Sequence, residues 1–155
     1  MKTKITPRHP LAVLAVLAMV LVSGMATADG DGVVTQTATG SYEQIVTGLK
    51  KAITANKLVI VKEVPFTQML AMVGVKAEKI KSFEIFHPRF GKVIHANDKN
   101  ALLEVPLRIL VREKGGKTII QYRKPSAAFA GYSGLSGLGG DLDKVFAKIV
   151  GSVAK

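Results

Sequence analysis

The chain predicts an α+β domain, a two-layer sandwich in which a mostly antiparallel sheet carries helices on one face. Three observations predict it. Two β-rich runs flank Lys114-Gly115-Gly116-Lys117, the spelling of a tight hairpin. Two long segments, from Ser41 and from Asp141, are apolar on one side only at helical spacing. The order of elements reads β-α-β-(short α)-β-(short α)-β-β-α, without the strand–helix alternation of a parallel sheet.

Residues 1–28 read as a secretory leader. Lys2, Lys4 and Arg8 form a positive start, Leu11 to Val22 is almost wholly apolar, and Ala26-Thr27-Ala28 offers a cleavage site before Asp29. The alternative is a retained anchor, although the apolar run is shorter than the ~20 residues of a spanning helix. Cleavage leaves an exported domain, periplasmic or extracellular. Residues 29–39 read as an N-terminal tail and first strand, and 40–155 as one α+β domain. Asp29-Gly30-Asp31-Gly32 matches the opening of a calcium loop but lacks the later ligands. Val33 to Ala38, rich in Val and Thr, is the first strand.

Ser41 and Gln44 then fit a capping box. Tyr42, Ile45, Val46, Leu49 and Ile53 line one face of the helix that follows, which ends near Asn56. Leu58-Val59-Ile60-Val61 is short and β-branched, a second strand expected in the sheet interior, and Pro65 stops it. Thr67 to Val73 is a short helix whose Met69 and Met72 are expected to fill the core. Lys76, Lys79 and Lys81 mark a solvated turn. Phe83 and Ile85 alternate as the next strand, which breaks at His87-Pro88 into a short helix bearing Phe90, Val93 and Ile94. Leu107, Ile109 and Val111 form the apolar side of a strand whose other side carries Arg108, Leu110 and Arg112. Thr118 to Arg123 is its hairpin partner. Gly131 to Gly140 reads as a flexible connection. Asp141 caps the last helix, whose Leu142, Val145, Phe146, Ile149, Val150 and Val153 make one stripe. That helix is expected to cover the sheet, and only secondarily to lie on a membrane.

Composition bounds the chemistry. The chain has no cysteine, which excludes thiol catalysis, thiolate metal sites and disulfides. It carries 22 Lys and Arg against 11 Asp and Glu; three of the cations and none of the acids lie in the leader, leaving a mature net charge of +8. Such a surface attracts anions over roughly 8 Å in physiological salt. Export, and the absence of a recognition helix or RNA-binding aromatic motif, argue against nucleic acid. The expected partner is a small anionic or lipid-like ligand; a solvated basic surface without a partner is the simpler alternative.

Neither Gly131-Tyr132-Ser133-Gly134-Leu135 nor Gly134-Leu135-Ser136-Gly137-Leu138 completes G-x-S-x-G. No Gly-Lys-Ser/Thr closes a phosphate loop. His87 and His95, the mature histidines, are eight residues apart and do not match the i, i+4 spacing of a helical metal pair. No metal or cofactor is expected. Two places could bind an anion. At the strand-to-helix break, the free amides of Arg89, Phe90 and Gly91 face a positive helix end beside His87, Arg89 and Lys92; simple capping by His87 is the competing reading. The second is the strand face of Arg108, Arg112 and Arg123. A non-catalytic exported module that binds an anionic or amphipathic ligand, or acts as a dimeric envelope module, is the expected function. The alternative is a small enzyme using His87 as general acid or base near Arg89, with Glu84 or Glu104.

Ser41-Tyr42-Glu43, Ile85-Phe86-His87-Pro88-Arg89-Phe90-Gly91, Leu103-Glu104-Val105-Pro106-Leu107-Arg108-Ile109-Leu110-Val111 and Gln121-Tyr122-Arg123-Lys124-Pro125 together resemble the bacterial domain-of-unknown-function 302 family over about Gly40 to Leu135. The resemblance implies a curved antiparallel sheet with helices on one face, similar to the TATA-binding-protein arrangement, and a homodimer. It names no reaction, cofactor or substrate. His87 stands where many members have Asn, and Glu63-Val64-Pro65-Phe66 where many carry an Asp-His pair, so chemistry tied to that pair does not transfer.

Overall fold

The computed structural model describes Thr27, Ala28, Gly30 and residues 32–155. The expected leader and its cleavage point therefore lie outside the described residues, except for Thr27 and Ala28. These two form β1 (Thr27–Ala28) and pair with β2 (Val33–Ala38). The other elements are α1 (Tyr42–Ala55), β3 (Val59–Val64), α2 (Phe66–Ala71), β4 (Ile80–Phe86), α3 (Pro88–Asn97), a 3₁₀ turn (Lys99–Glu104), β5 (Leu107–Lys114), β6 (Lys117–Arg123), α4 (Pro125–Ala128) and α5 (Ser136–Val153). All pairings are antiparallel, in the order β1-β2-β6-β5-β4-β3. Six strands, β1 being only two residues long, with helices packed on one face make the two-layer α+β sandwich.

Local chemistry sets the boundaries. Ser41 Oγ accepts the Gln44 amide, and the Gln44 side chain accepts the Ser41 amide at 2.9 Å, closing the capping box. Gly115 and Gly116 both adopt positive φ, 57° and 75°, which a two-residue hairpin turn of matching twist requires. Tyr42, Ile45, Leu49 and Ile53 of α1 meet Leu142, Phe146, Ile149 and Val150 of α5 above Phe83, Ile85, Ile109, Val111 and Ile120. Each such burial contributes roughly 1.5–3 kcal/mol. Leu142, Phe146 and Ile149 are buried as the stripe predicts, while Val145 and Val153 sit half-buried at its margins. Gly48 lets the helices close: a Cβ there would stand 3.0 Å from Val153 Cγ1.

The structure corrects four expectations. β3 is an edge strand, with Val59 and Val61 exposed, not an interior one. β-branched composition reports strand geometry but not the number of neighbours. β4 takes β5 on one side and β3 on the other, and among the described residues nothing follows β3 outward. Its register shifts between Ile60 and Lys62, and an irregularity beside a lysine protects an edge.

The methionines of α2 do not fill the core: Met69 is 51% and Met72 85% exposed. This six-residue helix is held beside the sheet by Thr67, whose hydroxyl meets the Ile80 amide at 2.7 Å where β3 no longer pairs. Lys79 and Lys81 are not simply solvated. Lys81 binds Glu63 at 2.7 Å, and Lys79 reaches Glu43 and Glu113 at 2.5 and 3.5 Å.

The last helix begins at Ser136, so half of the glycine-rich stretch is helical. Gly139 is needed where α5 passes α4, since a Cβ would lie 2.8 Å from Ser126 Cα. Asp141 consequently caps nothing; it pairs with Lys144 at 3.1 Å on the helix surface. Asp143 instead accepts the Ser126 amide at 2.9 Å, together with its hydroxyl, tying α4 to α5.

Candidate functional site

Strand alternation sorts the sheet into a covered and an open face. Leu107, Ile109 and Val111 turn toward the helices, so Arg108, Leu110 and Arg112 turn away. The register then places Gln121 opposite Leu110, Lys117 opposite Lys114, and Lys62 opposite Glu84. The open face thus collects Lys62, Arg108, Arg112, Lys114, Lys117 and Arg123 against one strand carboxylate, Glu84. Glu84 is met by Arg108 at 3.6 Å, a loose pair that leaves the guanidinium largely exposed.

A row of hydrogen bonds fixes the middle of this face. Arg112 Nε donates to Gln121 Oε1 at 3.0 Å, and Gln121 Nε2 donates to Thr35 Oγ1 at 3.0 Å. Arg112 is thereby positioned across β5, β6 and β2. Next to the row, Val33, Arg108, Leu110, Gln121 and Arg123 line an open depression of about 260 Å³. Two guanidiniums at its rim and an apolar floor of Val33 and Leu110 suit a small anion or the head of an amphiphile.

The strand-to-helix break is arranged differently. His87 Nδ1 accepts the Arg89 amide at 3.0 Å, while the amides of Phe90 and Gly91 donate to the His87 carbonyl at 2.9 and 3.4 Å. All three amides expected to be free are taken within the turn. Phe90 packs against the core, its ring 5.7 Å from that of His87. Gly91 serves packing, since a Cβ would come 2.7 Å from Phe86 Cζ. Beneath the break lies an apolar space of only about 10 Å³, bounded by Phe86, Phe90, Ile94 and Phe129 among others. That is room for one water at most.

Arg89 lies over the Phe90 ring, 5.8 Å from its centroid, and Lys92 is exposed on α3. Neither lines the depression. The carboxylates considered as partners of His87 are engaged elsewhere, Glu84 with Arg108 and Glu104 with the Tyr132 hydroxyl at 2.9 Å. That bond, with some burial, raises the Tyr132 pKa. Among the described residues no group of three or more His, Asp or Glu could hold a metal ion. Sequence alternation found Arg108, Arg112 and Arg123; Lys62, Lys114, Lys117 and the Gln121–Thr35 tether required the register between strands.

The family profile described as Domain of unknown function DUF302 matches residues 34–155, extending the resemblance through α5 to the last residue. No curated protein matches the chain. A crystal structure of an uncharacterized conserved DUF302 protein from Bacillus stearothermophilus is similar, with a TM-score of 0.71 at 15% identity over 77% of this chain and 95% of that one. That likeness is one of fold. With the profile spanning the whole sandwich from β2 to α5, the chain belongs to the DUF302 family.

Proposed function

We infer that the protein is a non-catalytic exported module that binds a small anionic or amphipathic ligand on the open face of its sheet. The observation that carries this reading is the juxtaposition of Arg108 and Arg123 around one depression, with Arg112 tethered beside it. Guanidiniums bind phosphate or carboxylate bidentately, with a planar fork that loses less freedom per hydrogen bond than lysine does. The apolar floor supports a ligand with a short hydrocarbon part. Export to the periplasm or beyond rests on the leader pattern of residues 1–28, and a homodimer on the family resemblance.

Thermal denaturation with inorganic phosphate, pyrophosphate and a monomeric short-chain phosphatidylglycerol tests the reading. A ligand at 100 times its Kd adds about 2.7 kcal/mol, a shift of several degrees in a domain of this size. The shift is expected to vanish in Arg108→Gln/Arg123→Gln. If no anion raises the melting temperature, or the double variant responds like the parent, the open face is not the binding site.

A further inference from the structure

The other unusual surface is the α2 tip. Val64 to Val75 contains no charged residue, and Phe66, Met69, Met72, Val73 and Val75 are all exposed, Met72 by 85% and Val73 by 74%. A monomeric surface rarely presents so many large apolar side chains together. Cations surround the tip. Lys62 precedes it and Lys76 follows it, both exposed. Glu78 accepts the Gly115 amide at 3.1 Å, which docks the β5–β6 turn with Lys114 and Lys117 beside the same loop. The nearby carboxylates are already engaged: Glu63 lies between Lys50 and Lys81, and Glu113 pairs with Lys79.

We propose that the α2 tip, Phe66 to Val75, inserts into an anionic phospholipid surface, with Lys62, Lys76, Lys114 and Lys117 on the headgroups. A short apolar projection ringed by lysines matches a layer that is negative outside and hydrocarbon within, reached at a depth of about 5–10 Å. Charge disfavours a second copy as occupant, because two strongly basic chains would meet there. The register shift and Lys62 on β3 also oppose edge-to-edge pairing. The proposal goes beyond the anion-binding reading and uses different residues, so either can fail without the other.

The chain has no cysteine, so one probe position can be introduced cleanly. Met72→Cys carrying an environment-sensitive nitrobenzoxadiazole label is mixed, in the full chain, with vesicles of phosphatidylcholine alone or with phosphatidylglycerol; Thr47→Cys, exposed on α1, is the control. Label at position 72 is expected to brighten and shift to the blue with the anionic vesicles, and label at position 47 to stay unchanged. Lys114→Gln/Lys117→Gln should raise the half-saturating lipid concentration about 25-fold, at about fivefold per lysine. No response at position 72 with anionic vesicles overturns the proposal. An equal response in both vesicle types overturns it too, as does a shift without vesicles that grows with protein concentration.

Discussion

Glu63 shows how one residue joins the layers. It sits on edge strand β3 yet receives Lys50 from α1 at 2.5 Å and Lys81 from β4 at 2.7 Å. Burial works to raise its pKa, but the two lysine hydrogen bonds outweigh burial and hold it below its ordinary value of 4.5. A carboxylate depressed on folding adds stability that is present above the unfolded pKa and lost as pH falls through the folded one. Glu63→Gln should therefore lower the unfolding free energy at neutral pH, by about 1 kcal/mol or less because the group is partly solvated. The difference from the parent should close in strong acid; a difference independent of pH would show that the ion pairs contribute nothing. Gly139 makes the complementary point about space. Gly139→Ala drives a methyl against Ser126 backbone, and overpacking of this kind costs typically 1–3 kcal/mol. Denaturant midpoints check it, with Gly137→Ala, open to solvent, as a neutral or mildly stabilising control.

At the scale of elements, α1, β2, α3 and the β5–β6 hairpin were legible because their signals are local: a capping box, alternation, a proline at the first helical turn, paired glycines. α5 was legible in its stripe but not in its start. Serine and glycines favour loops, and the contact that makes them helical, Gly139 against Ser126, is tertiary. The same limit applies to α2, where an apolar run does not reveal whether anything lies above it. Phe146 tests the α5 account directly. It is fully buried, its ring 5.5 Å from that of Tyr122, and Phe146→Ala should cost about 3–5 kcal/mol in urea denaturation. A loss under 1 kcal/mol would mean that α5 does not cover the sheet.

For the whole molecule, the layered fold divides the work. One face of the sheet is spent on α1 and α5, so the face that remains collects the outward residues of every strand, and with them much of the net positive charge. Alternation in β5 shows part of that face; the pairing of β6 with β2, residues 80 to 90 positions apart, assembles the rest. The break at His87 has a histidine and a helix end, yet its amides are consumed within the turn and the apolar space beneath it is only about 10 Å³. The measurement that separates these two places is a map of backbone amide chemical-shift changes on titrating pyrophosphate. Binding on the open face predicts changes at Val33, Arg108, Leu110, Gln121 and Arg123, saturating together and disappearing in Arg108→Gln/Arg123→Gln. Changes centred on His87, Arg89 and Lys92, with the strand residues silent, would contradict the account.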